Sequence, residues 1–432
     1  MMRKLSLLLA GVLLAASLAG CGASPSESTA ASAPTAGSSE EGLRGSFTMW
    51  VWTDISSEIE AYQKLNPNVE IEQVVIDAGD YLTKLQTTVA SGGQLPDLIW
   101  GEISNRGQIF EMDILDDLSG EPYNFDPSSV EECVLPTMKN EEGTILGVER
   151  NLVPSGLAYH RGLAEQYLGT SDPDEVTAMF PDWDTFIEAG KQVVADSNGE
   201  VVMFSSLGDV YYIVNGQMDQ ARISDGVIHK DAVLQLFEEI CKFRDAGIVG
   251  KLDQWSPAWY ASFGTEDAMF SPMPSYGESN WLIPNAPDGE GDWALIVPPG
   301  GGFSWGGTCW GITKDSQNKE LAWDFVEFDM FGEGADIRQQ EGGELPSAAG
   351  YMDDKVDEEN EYFGGQKTGE VFINEILPTI NSHVPTPYDY ADICTIEVVL
   401  SSLNTDYSMT AQDAVDAYVA EMQNQAPDLA VE

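Results

Sequence analysis

The chain has 432 residues, 43% hydrophobic and 21% charged, enough for two or three domains with large cores. Its 72 acidic against 20 basic residues give a formal net charge of -52. Such a field repels nucleic acid and anionic membrane and favours a soluble monomer, but it does not name a ligand.

Arg3 and Lys4 precede an apolar run from Leu5 to Ala19. The run is shorter than the roughly 20 residues a bilayer span needs, and it suits a signal peptide over 1–20. It ends in Leu18-Ala19-Gly20-Cys21, which resembles the lipobox of bacterial lipoproteins. That resemblance implies a mature chain starting at an acylated Cys21, held on the extracellular face of the cell membrane by its lipid alone. Residues 21–44 hold almost no large apolar side chain and read as a disordered tether.

Phe47 to Trp52 reads as an apolar strand. Thr53 and Asp54 then open a helix with Ile55, Ile59, Tyr62 and Leu65 on one face, ended by Asn66-Pro67. Val69 to Ile76 is a second strand, and Leu82, Leu85 and Val89 mark a second helix stopped by Gly92-Gly93. Pro96 to Trp100 is a third strand. This alternation predicts an α/β fold with a parallel sheet, whose ligands bind beyond the carboxyl ends of the strands. That rule singles out Trp52, Thr53 and Asp54 after the first strand, Asp80 and Tyr81 after the second, and Trp100 and Glu102 after the third.

Over 143–163 the chain changes from one α/β block to another. Two short strands, Ile145–Val148 and Leu157–Tyr159, flank Glu149-Arg150-Asn151, Pro154 and Gly156. A charged pair at such a crossing faces a cleft or remains a solvated surface pair. Beyond it, 203–216 reads as strand and loop containing Tyr211, Tyr212 and Asn215. Residues 255–281 are rich in aromatics, and Gly302-Phe303-Ser304-Trp305-Gly306 precedes another strand. Cys133, Cys241, Cys309 and Cys394 are widely spaced and propose no disulfide. The three histidines form no ligand spacing, so no metal or other cofactor is expected.

An ordered set of motifs is similar to the family 1 extracellular solute-binding proteins, the carbohydrate-binding lipoprotein components of bacterial ABC importers related to maltose-binding protein. It comprises Tyr81-Leu82-Thr83-Lys84-Leu85 with Ala90-Ser91-Gly92-Gly93 and Pro96-Asp97-Leu98, then Leu115-Asp116-Asp117-Leu118. Gly143 to Tyr159, Asp182 to Phe186, Phe263 to Met269, Trp305 to Phe325 and Gly343 to Pro346 follow in order. The resemblance implies a two-lobed periplasmic-binding-protein fold of type II with three hinge crossings, near 149–152, 303–308 and 343–349. It implies a first lobe of 45–148 plus about 309–345 and a second of about 152–303 plus about 350–432. The function implied is capture of a sugar or oligosaccharide between the lobes and delivery to membrane permease subunits, without catalysis.

A sugar ring offers hydroxyls in its plane and apolar C–H faces above and below, so a fitting site combines aromatic faces with carboxylates or amides. Trp305 is the first stacking candidate, with Tyr276, Trp281 and Tyr388 behind it. Trp52, Tyr211 and the polar Asp54, Glu102, Glu149 and Asn215 complete the expected ligand-binding set. Asp54 reads equally as a helix cap. Arg150 is open between a hinge ion pair and an acidic sugar. Two alternatives stand beside sugar capture: a peptide or other small-solute receptor on the same fold, and a secreted glycoside hydrolase, for which many carboxylates offer themselves. The Gly302–Gly306 segment fits the G-x-S-x-G elbow, but that motif needs a following helix where a strand is expected.

Overall fold

The computed structural model describes residues 42–432. The signal peptide and Cys21 lie outside the described residues, and the first strand, Arg44–Val51, begins at the last residue of the expected tether. Its apolar half, Phe47 to Val51, lies inside a five-stranded sheet ordered Asn68–Val75, Arg44–Val51, Leu98–Glu102, Thr308–Ile312, Val148–Glu149. The first three strands are parallel, as the strand–helix alternation predicts. Thr308–Ile312 inserts antiparallel between Leu98–Glu102 and Val148–Glu149. The helix Ser56–Leu65 turns Ile59 and Tyr62 inward, and Ala78–Ser91 turns Tyr81 and Leu85 inward. The second helix ends on Gly92 at φ +63°, the left-handed cap that only glycine adopts without strain.

A second sheet is built on Pro154–His160, which pairs antiparallel with Phe270–Pro274, Trp293–Ile296 and Phe303–Ser304. Helices Trp183–Asp196, Leu207–Gly216, Lys230–Asp245, Asp389–Thr405 and Ala411–Gln425 accompany it. Leu207–Gly216 corrects the strand and loop expected over 203–216. Its Val-Tyr-Tyr-Ile-Val run has weak helix preference, but Val210, Ile213 and Val214 bury on one side. A Ser206–Asp209 capping box secures its start. Ile145 makes only a single bridge, to Lys139, in place of the strand expected over Ile145–Val148. The strand expected over Leu157–Tyr159 runs longer, from Pro154 to His160.

The molecule is two-lobed, and the chain crosses between the sheets three times. The first crossing runs from Glu149 to Pro154 through Asn151–Leu152, and the second from Ser304 to Thr308. The third is Leu345–Pro346, paired antiparallel with Asn151–Leu152. Among the described residues no helix is long and apolar enough to cross a membrane.

Arg150 ties the crossings to the first sheet and is 2% exposed. Its backbone N–H donates to the Thr308 carbonyl at 2.6 Å. Its guanidinium reaches Asp329 at 3.0 Å, Glu58 at 3.0 Å and both Glu344 oxygens at 3.0 and 2.9 Å. Trp100 lies 5.0 Å beneath it. Arg338 donates to the Arg150 carbonyl at 3.0 Å, and the Trp310 indole donates to Asp329 at 2.7 Å. Arg338 Nε stands 3.3 Å from Asp329, but that pair is not aligned as a hydrogen bond. Burial works against the Asp329 charge, yet Arg150 and Arg338 outweigh it and hold the carboxyl below its usual range. At Glu58 burial prevails and the pKa rises.

Replacing Arg150 by Met should therefore cost about 3–5 kcal/mol of unfolding free energy, because Glu58 stays buried without a cation and Asp329 keeps only Arg338. In the variant, Glu58 would titrate still further above its unfolded value, while Asp329 keeps Arg338 beside it. By linkage, stability is then lost as pH rises through the raised Glu58 value. Urea midpoints should show a larger deficit at pH 8 than at pH 5; a deficit independent of pH would contradict this account.

Candidate functional site

Between the two sheets lies a cavity of about 290 Å³. Its floor is the first and second crossings, from Asn151 to Pro154 and from Ser304 to Gly306. One wall is Ile103, Ser104, Thr137 and Glu149; the other is Tyr211, Tyr212, Asn215 and Arg222. Residues 380–386, with Asp389 and Asp392, close the remaining side.

Trp305 organises the aromatic part. Its ring stacks on Tyr212 with centroids 4.3 Å apart and planes 24° from parallel. Trp281 and Trp255 back it at 5.5 and 5.4 Å, and the Tyr276 hydroxyl donates to its carbonyl at 2.9 Å. The turn after it needs glycine twice. Gly306 and Gly307 have φ +98° and +140°, and a β-carbon on them would meet Tyr276 Oη and Glu149 Oε1 at 3.0 Å. Trp255 has the left-handed φ of +66° on a bulky side chain, an outlier that surrounding structure must enforce, and its ring is 38% exposed. The enforcement is visible next door. Buried Asp209 accepts from Gln254 Nε2, Trp259 Nε1 and Ser205 Oγ, each at 2.9 Å, and from the Ser206 N–H at 3.1 Å. Burial pushes its carboxyl up to about 6 despite those donors.

The polar end of the cavity is the set Asn215, Arg222, Asp389 and Asp392. Arg222 forms an ion pair with Asp392 and donates to Asn215 Oδ1 at 2.6 Å. Asp389 accepts from the Thr386 N–H at 2.9 Å and its hydroxyl at 2.6 Å, and burial pushes its carboxyl up to about 6. Glu149 is sealed on the opposite side: both oxygens contact Arg106, and Thr137 Oγ1 donates to one at 2.7 Å.

The loop that covers the cavity also joins its two sides. Thr386 precedes the helix Asp389–Thr405, yet its backbone presses on Gly107 in the helix Ile103–Glu111, which follows a strand of the first sheet. A β-carbon at position 107 would overlap the Thr386 carbonyl.

Of the ten residues expected from sequence to bind ligand, Glu149, Tyr211, Asn215 and Trp305 line the cavity. Tyr276 and Trp281 form the layer behind Trp305. Trp52 packs on Trp100 and Tyr81 at 4.7 and 5.3 Å. Asp54 accepts from the Ser56 N–H at 3.1 Å and from Gln73, so it fastens the start of its helix. Glu102 caps the helix Ile103–Glu111 through the Ser104 N–H at 2.8 Å. The Tyr388 hydroxyl donates to Asp428 at 3.0 Å, beside the lining loop. Sequence reasoning did not select Tyr212, Trp255, Arg222, Asp389 or Asp392. The Ser206-x-x-Asp209 box was a usable signal for the first, since it marks a helix carrying Tyr211 and Tyr212 side by side. The Arg222–Asp392 pair spans 170 residues and leaves no local trace.

Phe303–Ser304 is followed by the strand Thr308–Ile312, so the helix that a nucleophile elbow requires is not there. Among the described residues no group of His, Cys, Asp and Glu is arranged to hold a metal, and the four cysteines are free.

Comparison with known proteins agrees with this geometry. A lactose-binding protein of Rhizobium radiobacter is 24% identical over an alignment 373 positions long, which covers 78% of this chain and 84% of that protein. The crystal structure of a family 1 extracellular solute-binding protein superposes with a TM-score of 0.79 at 22% identity, covering 88% of this chain and 99% of the other. The galacto-N-biose/lacto-N-biose I-binding protein of an ABC transporter from Bifidobacterium longum, in complex with lacto-N-biose, gives 0.73 at 17% identity, covering 91% and 100%. Residues 58–361 match the profile of bacterial extracellular solute-binding proteins, and with most of its length so matched the chain belongs to that family.

Proposed function

We propose that this protein captures a neutral sugar or oligosaccharide outside the cell, holds it between its lobes without chemical change, and hands it to the permease of an ABC transporter. On this reading it is a monomer, anchored through a lipid on Cys21. The lobes are 45–148 with about 309–345, and about 152–303 with about 350–432. The observation that carries the proposal is the pairing of an aromatic floor, Trp305 on Tyr212 at 4.3 Å, with a hydrogen-bonding end at Asn215 and Arg222. Apolar ring faces and hydroxyl edges call for those two surfaces. The sugar ligands in the names of related proteins support the same reading.

Charge supports a neutral ligand. Arg106 is paired with Glu149, Arg222 with Asp392, and Arg150 with three carboxylates, so no guanidinium of the site is left for an anion. Asp389 carries no ion pair among the described residues and would repel an acidic sugar.

The first test is thermal stabilisation of the 42–432 chain by lactose and lacto-N-biose, followed by chromatography of the recovered sugar. A binder raises the melting temperature by mass action and returns the sugar intact. Liberated monosaccharides would show a hydrolase. Replacing Trp305 by Ala should weaken binding of the stabilising sugar more than tenfold, about 1.4 kcal/mol or more; unchanged affinity would remove Trp305 from the site. Replacing Gly107 by Ala should lower affinity about tenfold, again ~1.4 kcal/mol, by holding the loop at Thr386 away from the opposite lobe. The unliganded melting temperature should stay unchanged, and an equal loss of both would mean that Gly107 serves folding alone.

A further inference from the structure

A second cavity, of about 180 Å³, adjoins the main one at Tyr211 and Tyr212, which line both spaces. It is built entirely from elements accompanying the second sheet. Trp255 stands at its edge, and Gln254, Glu397, Ser401 and Asn404 contribute its polar lining.

Three features mark it as more than a packing gap. The Tyr211 hydroxyl, where the two cavities meet, is fully buried without a hydrogen-bond partner, a cost that a native structure retains for a reason. Trp255 keeps an exposed indole at a strained backbone angle, and the buried Asp209 network positions its neighbours Gln254 and Trp259. Glu397 stands in the lining with no ion pair or hydrogen bond among the described residues. Asn404 Nδ2 donates to the Lys251 carbonyl at 3.3 Å and Gln254 Nε2 to Asp209, which leaves their amide oxygens as acceptors. An aromatic face beside an unengaged carboxylate and amide oxygens is a surface for another hydroxylated ring. An apolar occupant would strand those polar groups, and an anionic one would meet Glu397.

We propose that this cavity is an accessory subsite for the ring next along a saccharide whose first rings fill the main cavity, so that affinity rises with chain length. The inference rests on the saccharide reading given above. It adds that the ligand is an oligosaccharide and that Glu397 and Asn404 set its length. Neither residue touches the main cavity.

The test is isothermal titration of the 42–432 chain and its Glu397→Ala, Asn404→Ala double variant with two ladders: β-1,6-linked galacto-oligosaccharides and malto-oligosaccharides, each of two, three and four residues. The wild-type chain should bind one ladder with at least a tenfold gain beyond the disaccharide. The double variant should lose that gain while binding the disaccharide within twofold of wild type. Length-independent affinity in the wild type, or equal weakening of every length in the variant, would overturn the subsite and leave the saccharide reading standing. Binding of neither ladder at any length would overturn both.

Discussion

The buried charge network around Arg150 is the constraint on which the rest of this structure depends. One guanidinium gathers a residue from the first helix, Glu58, one from the helix Lys319–Phe331, Asp329, and one from the third crossing, Glu344. Its own backbone bonds to Thr308 at the second crossing. A buried charge is tolerated only where its partners are fixed, so satisfying Arg150 fixes all three crossings relative to the first sheet. All three crossings are thereby anchored to the same side of the molecule.

The site follows from that anchorage. The crossings are both the links between the lobes and the cavity floor, so residues that carry the chain between lobes also line the cavity. Gly306 and Gly307 let the second crossing turn beneath Tyr276 and Glu149, which places Trp305 against Tyr212. The pairing of Glu149 with Arg106 removes both charges from play, and Asp392 does the same for Arg222. What remains facing the cavity is aromatic surface and hydrogen-bonding groups with little net positive charge. This is economical for a neutral, hydroxyl-rich ligand and costly for an anion. The contact of Gly107 with Thr386 shows how closely the two sides meet when the loop over 380–386 covers the cavity.

Much of the scaffold was legible in the sequence because it rests on local rules. The parallel strands and their helices follow from alternation and from Gly92, and the first crossing from a break in pattern around Glu149 to Pro154; the second and third rested on the family resemblance. The site was legible in part. Trp305 stood out by its glycine neighbours, whereas Glu149 and Arg150 looked like one charged pair and proved to belong to separate networks on opposite sides of the backbone. The helix Leu207–Gly216 was hidden because β-branched and aromatic side chains prefer strands until burial decides otherwise. The polar end of the cavity was illegible for a topological reason: Arg222 and Asp392 meet only after the C-terminal helices fold back on the second sheet. Single-sequence periodicity carries no information about such pairs.

Family membership and fold agree with capture between two lobes, and we propose that the lobes close about a fixed hinge. Small-angle X-ray scattering of the 42–432 chain, with and without a saturating saccharide that stabilises it, tests that claim most directly. The account predicts a smaller radius of gyration in the liganded state. Scattering profiles that superpose while calorimetry shows the sugar bound would contradict it.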